Sequence, residues 1–351
     1  MTILVTGGAG FIGSNFIYYL IKNSKKKILN LDLLTYAGNI NNLVDVPKER
    51  YRLIIGSIND FKLVSSILND NKISSVVNFA AESHVDRSIH GPGEFINTNI
   101  LGTFNLLEAS RSYFKSLNGD QSINFKFLHV STDEVYGSLK SEEAPFTETN
   151  QYKPNSPYAA SKASSDHLVR AYNKTYNLPT LITNCSNNYG PFQFPEKLIP
   201  LIISNAINEK NIPVYGDGLQ VRDWLYVEDH CSAIEAVLKK GKTGETYNIG
   251  GLTEKTNIDV VNIVCDILQD LKPRKKGSYR DLITYVKDRP GHDTRYAINA
   301  NKISRELNWK PKKKFEEGIF ETVNWYLKNQ EWIENIISGE YKNWIKKNYN
   351  S

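Results

Sequence analysis

The sequence predicts an α/β protein: a Rossmann-type doubly wound parallel sheet joined to a smaller mixed α/β lobe. Three observations carry this expectation. Short apolar or β-branched runs alternate with longer helical patterns through the first half of the chain. A glycine-rich turn, Gly7-Gly8-Ala9-Gly10-Phe11-Ile12-Gly13, follows the first run and opens a helix. Beyond Asn187 the texture changes, as Pro191, Pro195, Pro200 and Pro213 break the chain and aromatic and charged loop residues increase.

Taken in order, strands are expected at residues 3–6, 28–31, 51–55, 76–79, 127–131 and 180–183, with helices at 13–22, 61–70, 97–116 and 159–176. The runs 76–79 and 127–130 are almost wholly apolar, as suits strands covered on both faces. This divides the chain into a dinucleotide-type domain over 1–186 and a second lobe over 187–222 and 252–330. The stretch 223–251 is expected to return to the first domain, through 223–239 and 246–249. From Trp325 the pattern is amphipathic and rich in Trp and Lys, so residues 331–351 read as a helical tail.

Composition narrows the function classes. The 351 residues carry 43 basic and 38 acidic side chains, a net charge of +5 that is mild and spread out. The triplets Lys25-Lys26-Lys27 and Lys312-Lys313-Lys314 have no aromatic residues interleaved and read as solvated turns, so no nucleic-acid partner is expected. Cys185, Cys231 and Cys265 are odd in number and far apart, without metal or disulfide spacing. No metal site is expected, and the compartment reads as reducing and cytoplasmic. Met1 leads straight into a strand without a basic leader, and no apolar run would span a bilayer, so no membrane partner is expected.

The glycines allow a tight turn and let a backbone approach a pyrophosphate, with the helix N–H groups facing the phosphates. A tight strand–helix turn alone would also explain them. Asp32, however, ends the second strand and places a carboxylate where ribose hydroxyls would sit. A carboxylate there repels a 2′-phosphate, which favours NAD over NADP.

The chemistry is expected at the carboxyl end of the fifth strand, where Thr132-Asp133-Glu134 emerge from the apolar run Lys126–Ser131. Tyr158 and Lys162 stand four residues apart on a helix and so share a face. The ammonium is expected to favour the tyrosinate, making Tyr158 a base near neutrality. Two adjacent carboxyl groups in a buried site would differ in protonation, one serving as acid and the other as base. In the bland alternative Asp133 caps a turn and Glu134 is a solvated loop residue.

The motifs Thr6–Gly13, Ala80–Ser88, Ser131–Gly137, Tyr158–Lys162, Asn187–Pro191, Arg222–Val227 and Asp288–Asp293 together resemble the extended short-chain dehydrogenase/reductase family. Within it they are most similar to the nucleotide-sugar 4,6-dehydratases. The Thr-Asp-Glu triplet and the Ser83–Ser88 segment carry the dehydratase likeness, and it covers nearly the whole chain. One departure is Gly56-Ser57-Ile58, where the family has an aspartate facing the adenine in place of Ser57.

The resemblance implies catalytic roles for Thr132, Asp133, Glu134, Tyr158 and Lys162. It implies NAD contacts from Gly7, Gly10, Phe11, Ile12, Gly13, Asp32, Thr35, Ser57, Ile58, Ala80, Ala81, Ser83, Thr98, Tyr158, Lys162 and Asn188. Substrate contacts follow from Ser83, the Thr132–Glu134 triplet, Asn187, Glu196, Lys197, Leu198, Tyr215, Arg222, Asn257, Asp288, Arg289 and His292. Arg222 and Lys197 would hold a diphosphate, and Tyr215 would stack on a pyrimidine. His84 reads at least as readily as a structural histidine. The implied reaction is NAD-dependent loss of water from a nucleotide-diphospho-hexose, dTDP-glucose first among them, feeding deoxysugar biosynthesis such as that of rhamnose. The implied assembly is a homodimer joined by a four-helix bundle of the helices 97–116 and 159–176. Two rivals stay open: a nucleotide-sugar 4-epimerase, and a catalytically silent NAD-binding regulator.

Overall fold

The structure, a computed structural model, describes residues 1–337. Strands run at β1 Thr2–Thr6, β2 Lys27–Asp32, β3 Tyr51–Ile55, β4 Ile73–Asn78, β5 Lys126–Thr132 and β6 Thr180–Cys185. The remaining strands are β7 Asn187–Tyr189, β8 Ile212–Tyr215, β9 Val221–Tyr226, β10 Thr246–Ile249, β11 Glu254–Thr256 and β12 Ile283–Val286. Seven of these form one parallel sheet in the order β10-β6-β5-β4-β1-β2-β3. The strand order reverses between β1 and β4, and ligands bind outside the carboxyl ends of strands at such a switch point.

The sheet is covered on both faces, as its apolar strands require. On one face the helices Phe11–Asn23 and Val227–Lys240 bury Phe16, Ile17, Leu20, Ile234 and Val237 against Ile3, Val5, Leu128 and Leu181. On the other, the helices Phe61–Asp70, Thr103–Ser116 and Pro157–Tyr176 close over Leu4, Val76, Phe127 and Ile182. A third core, built on Ile199, Ile203, Trp224, Val260, Val264, Phe315 and Ile319, belongs to the smaller lobe. There β9 sits between β11 and β7, and β12 pairs with β8.

Two expectations need correction. The stretch expected to return to the main sheet divides: β10 pairs with β6 there, whereas residues 223–226 lie in β9 of the three-stranded sheet. Asp223 accounts for that placement, because its carboxylate accepts from the N–H groups of Gly251 (2.9 Å) and Thr253 (2.7 Å) in the smaller lobe. The helix expected over 97–116 begins earlier, at Pro92, and passes through a π turn, Ile96–Gly102, before Thr103–Ser116. Of the helical tail, Gln330–Ile337 is helix and the rest lies outside the described residues. Among the described residues no helix is long and apolar enough to cross a membrane.

Candidate active site

A cleft of about 390 Å³ opens at the carboxyl ends of the central strands. Its floor begins with the glycine turn. Gly7 has φ +68, and a Cβ there would lie 2.6 Å from the Ala80 backbone nitrogen, so no other residue fits without strain. A Cβ on Gly13 would strike the Gly7 carbonyl, so that glycine lets the helix start against the strand. The turn therefore presents bare backbone at a helix amino terminus, a cradle that fits a pyrophosphate. Asp32 closes it: its carboxylate accepts from Ala9 N and Leu34 N, both at 2.8 Å.

Every residue expected to touch the cofactor lines this cleft, from Gly7, Gly10, Phe11, Ile12 and Gly13 through Asp32, Thr35, Ser57 and Ile58 to Ala80, Ala81, Ser83, Thr98, Tyr158, Lys162 and Asn188. Ser57 takes the place of an aspartate there, its hydroxyl accepting from Asn59 N at 3.1 Å. Thr98 lines the cleft from within the π turn. Asn99 fixes that turn by bonding both backbone groups of Glu82 (2.9 and 3.0 Å) and Ser161 Oγ (2.8 Å), while Ser165 Oγ takes its carbonyl (2.7 Å). A π turn at a functional cleft is a recurrent arrangement.

At the far end β5 delivers Thr132, Asp133 and Glu134. The chain tightens into a 3-10 turn, Asp133–Tyr136, capped by Thr132 Oγ1, which accepts from Glu134 N at 3.3 Å. The bland alternative thus fails at Asp133: Thr132 is the cap, and Asp133 is 2 % exposed with Oδ2 lacking a hydrogen-bond partner. Glu134 is half-buried and faces the cleft.

The two carboxyl groups meet different surroundings. Burial pushes Asp133 well above the ordinary carboxylate range, and Glu134 and Asp223 push it further, with Arg222 opposing. Burial raises Glu134 too, but Arg289, Lys197 and Arg222 pull it back down. Asp133 therefore holds its proton more tightly than Glu134.

The helix Pro157–Tyr176 starts from Ser156, whose Oγ accepts from Ala159 N at 3.1 Å, with Pro157 in its first turn. Tyr158 and Lys162 on its inner face are 9 % and 4 % exposed. The expected lowering of the phenol is not what this geometry produces. Burial holds Tyr158 well above its ordinary value, Glu134, Cys185 and Asp133 add to this, and only the Thr132 hydrogen bond opposes it. Lys162, by contrast, is lowered to about 8 by burial.

The expected substrate residues fall into two groups. Ser83, Asn187, Glu196 and Lys197 line the cleft with the triplet. Lys197 Nζ donates to Ser83 O at 3.0 Å, and Glu196 lies 3.3 Å from Arg87 Nε. His84 caps the helix Val85–His90, its Nδ1 accepting from Arg87 N at 3.4 Å.

Leu198, Tyr215, Arg222, Asn257, Asp288, Arg289 and His292 are not in the cleft lining and belong to the smaller lobe. Arg222 stacks on Tyr296 at 4.3 Å and donates to Asp293 O at 2.9 Å. Arg289 pairs with Asp86 at 2.9 Å, and the Tyr215 hydroxyl reaches the same carboxylate at 3.3 Å. His292 binds Asp288 at 2.7 Å and meets the Tyr215 ring edge-on. Asn257 bonds Gln220, and Leu198 opens the helix Leu198–Ile207.

Sequence reasoning missed Glu82, Gln193, Phe194 and Cys185, which also line the cleft, and Asp166, which lies beneath it. Asp166 had a signal, since it continues the Tyr158–Lys162 spacing by one more helical turn.

A parallel sheet with a glycine cradle at its switch point, and acid–base groups around a buried tyrosine, defines a dinucleotide-binding α/β enzyme site. Residues 4–322 match the family described as GDP-mannose 4,6 dehydratase, and the chain belongs to that family. It is 58 % identical to a dTDP-glucose 4,6-dehydratase of Shigella flexneri, over 99 % of each chain. Its structure is similar to that of the dTDP-glucose 4,6-dehydratase DesIV of Streptomyces venezuelae, solved with NAD and dTDP bound. That match has a TM-score of 0.87 at 44 % identity and covers 96 % of this chain and 100 % of the other. A UDP-glucose 4-epimerase of Thermotoga maritima also matches, with TM-score 0.82 at 28 % identity over 94 % of this chain and 100 % of the other. The fold alone therefore does not separate dehydration from epimerisation.

Proposed function

We propose that the protein is an NAD-dependent dTDP-glucose 4,6-dehydratase, a lyase that forms dTDP-4-keto-6-deoxyglucose. The observation that carries this reading is a buried acid, Asp133, with one carboxyl oxygen lacking a hydrogen-bond partner, beside a carboxyl group flanked by three cations, both next to Tyr158. NAD, when bound, would supply a hydride acceptor at C4 of the sugar and, once reduced, a hydride donor at C6. The glycine turn, Asp32, Ser57 and Lys162 would hold it.

Tyr158, in the ionised form that the neighbouring Lys162 ammonium favours against the cost of burial, takes the proton of the C4 hydroxyl, and Thr132 hydrogen-bonds that oxygen. The C4 ketone acidifies the C5 hydrogen, which Glu134 removes. Asp133 gives its proton to the departing C6 hydroxyl, which leaves as water. C5 then regains a proton from Glu134. The split between the carboxyl groups supports these roles, because the acid must begin protonated and the base ionised. A 4-epimerase shares the fold and the Tyr–Lys pair but has no step that uses an acid and a base at C5 and C6. Asp133 and Glu134 thus favour dehydration, and their presence with Tyr158 also disfavours a silent regulator.

The substrate would span both lobes, its sugar at the triplet and its diphosphate between Lys197 and Arg222. We further propose a homodimer through the helices Thr103–Ser116 and Pro157–Tyr176. Ile96, Leu101, Phe104 and Tyr176 support it as apolar side chains 43–52 % exposed on these helices and the turn before them. A reducing, cytoplasmic setting suits three free, buried cysteines, and the product would feed deoxysugar synthesis, rhamnose included.

The test is a panel of nucleotide-hexoses incubated with purified protein and followed by mass spectrometry. Loss of water from dTDP-glucose is expected. C4 inversion with the C6 oxygen retained would establish the epimerase instead, and no turnover of any hexose despite NAD binding would establish the regulator.

A further inference from the structure

Beneath the cleft lies a cluster of buried titratable groups, of which the mechanism above uses Lys162 and leaves His129 and Asp166 without a role. His129, Lys162 and Asp166 are 1, 4 and 2 % exposed, on β5 and on the helix Pro157–Tyr176. Tyr158, Lys162 and Asp166 sit on successive turns of that helix, so they form one inward stripe. Lys162 Nζ donates to Val130 O at 2.8 Å and lies 3.3 Å from His129 Nε2. Asp166 Oδ1 lies 3.6 Å from the same ring nitrogen, and Asp166 Oδ2 accepts from Ser131 Oγ at 2.9 Å. The other face of the ring is fixed in turn: Nδ1 meets Asn78 Nδ2 at 3.0 Å, and Thr6 Oγ1 donates to Asn78 Oδ1 at 2.6 Å.

We propose that Asp166 is a positioning residue for Lys162: with His129 between them, its carboxylate balances the buried ammonium and keeps Lys162 charged beside Tyr158. This rests on the dehydratase reading, because it assigns Lys162 a charged role in the C4 step.

The charge balance leaves no other candidate among the described residues. A wholly buried ammonium is costly without a counter-charge. The groups that favour its charged form are Asp166 and Cys185, and burial pushes the Cys185 thiol up to about 12, so it stays neutral. His129 is held well below its ordinary value by burial and by Lys162, so it is neutral as well. Asp166 is raised to about 7 by burial, with Lys162, Ser131 and the Tyr152 hydroxyl opposing. Around neutrality it is the group able to carry the balancing charge. Asp166 also joins the helix bearing Tyr158 to the strand end that leads into Thr132-Asp133-Glu134, so the redox pair and the carboxyl pair share one anchor.

The test compares Asp166→Asn, Asp166→Glu and the wild type in pH profiles of kcat/KM. Without the carboxylate Lys162 loses its proton more readily. The alkaline limb of Asp166→Asn is therefore expected about one pH unit lower, with about a ten-fold loss above the new limb. Asp166→Glu keeps the charge and is expected to restore the limb.

A second readout needs no turnover. In the wild-type background Asp166→Asn is expected to lower the melting temperature. In a Lys162→Met background, where the carboxylate has lost its counter-charge, the same substitution is expected to raise it. This cycle decides the matter even if Asp166→Asn alone does not fold, because the double variant is compared with Lys162→Met. An unmoved limb in Asp166→Asn, or melting temperatures lowered equally in both backgrounds, would overturn the proposal. A wild type that turns over no nucleotide-hexose would sink the dehydratase reading and leave the melting cycle intact.

Discussion

Asp133 and Glu134 are neighbours in sequence with opposite tasks, and single substitutions separate them. Glu134→Gln removes the C5 base, so exchange of the C5 hydrogen with solvent, followed by NMR, is expected to stop. Asp133→Asn leaves that exchange in place and slows loss of water by about a hundred-fold or more, as removal of a general acid does. Stability is expected to respond as well. Asp133 is raised far above its ordinary 3.8 by burial, so the folded state favours its protonated form. Its contribution to stability is present at low pH and is lost as pH rises above the unfolded value. Asp133→Asn should therefore match the wild type in thermal melts near pH 4 and exceed it increasingly towards neutrality. Equal melting curves at every pH would show that Asp133 carries no such burden. At this scale the triplet and the Tyr–Lys pair were legible because their spacing along one strand end or one helix face fixes what they can reach. The phenol's environment was not, since burial and Glu134 raise it and neither follows from spacing.

Among the elements, the π turn Ile96–Gly102 holds the cofactor end of the cleft to the catalytic helix. Its key is Asn99, 1 % exposed, which bonds Glu82 twice and Ser161 once. Asn99→Ala strands those partners, and a loss of roughly 2–4 kcal/mol in urea unfolding is expected from three hydrogen bonds, one buried and two part-buried. A loss below about 0.5 kcal/mol would show that the turn does not depend on this side chain. Gly7→Ala forces a Cβ against the Ala80 backbone at positive φ, and calorimetry is expected to show NAD binding weakened at least about ten-fold. Apolar spacing revealed the helix over 97–116 but not its extra residue per turn, because Asn99 creates that turn by long-range bonds. Residues 223–226 were misread for a related reason. An apolar run announces a strand, whereas its partners were chosen by the Asp223 carboxylate from a loop some thirty residues away.

For the whole molecule, the parallel sheet was legible from alternation alone, since apolar strands between amphipathic helices have few ways to cover both faces. The second lobe was legible only as a change of texture, because β7 and β11 are three residues each and pair with β9 across long distances in sequence. Leu101→Glu with Phe104→Glu places charge on the exposed helix face, and, if the proposed dimer forms, light scattering is expected to show it reduced to a monomer with its melting temperature little changed. A wild type that is already monomeric at micromolar concentration would remove the dimer from the proposal.

In the proposed reaction one hydride leaves C4 and returns to C6 of the same sugar while water is lost. It is tested most directly with dTDP-glucose deuterated at C4, mixed with unlabelled substrate of distinct carbon mass. Deuterium is expected at C6 of the molecule that carried it, without crossover and without net NADH. Deuterium retained at an inverted C4, or NADH accumulating in step with product, would contradict it.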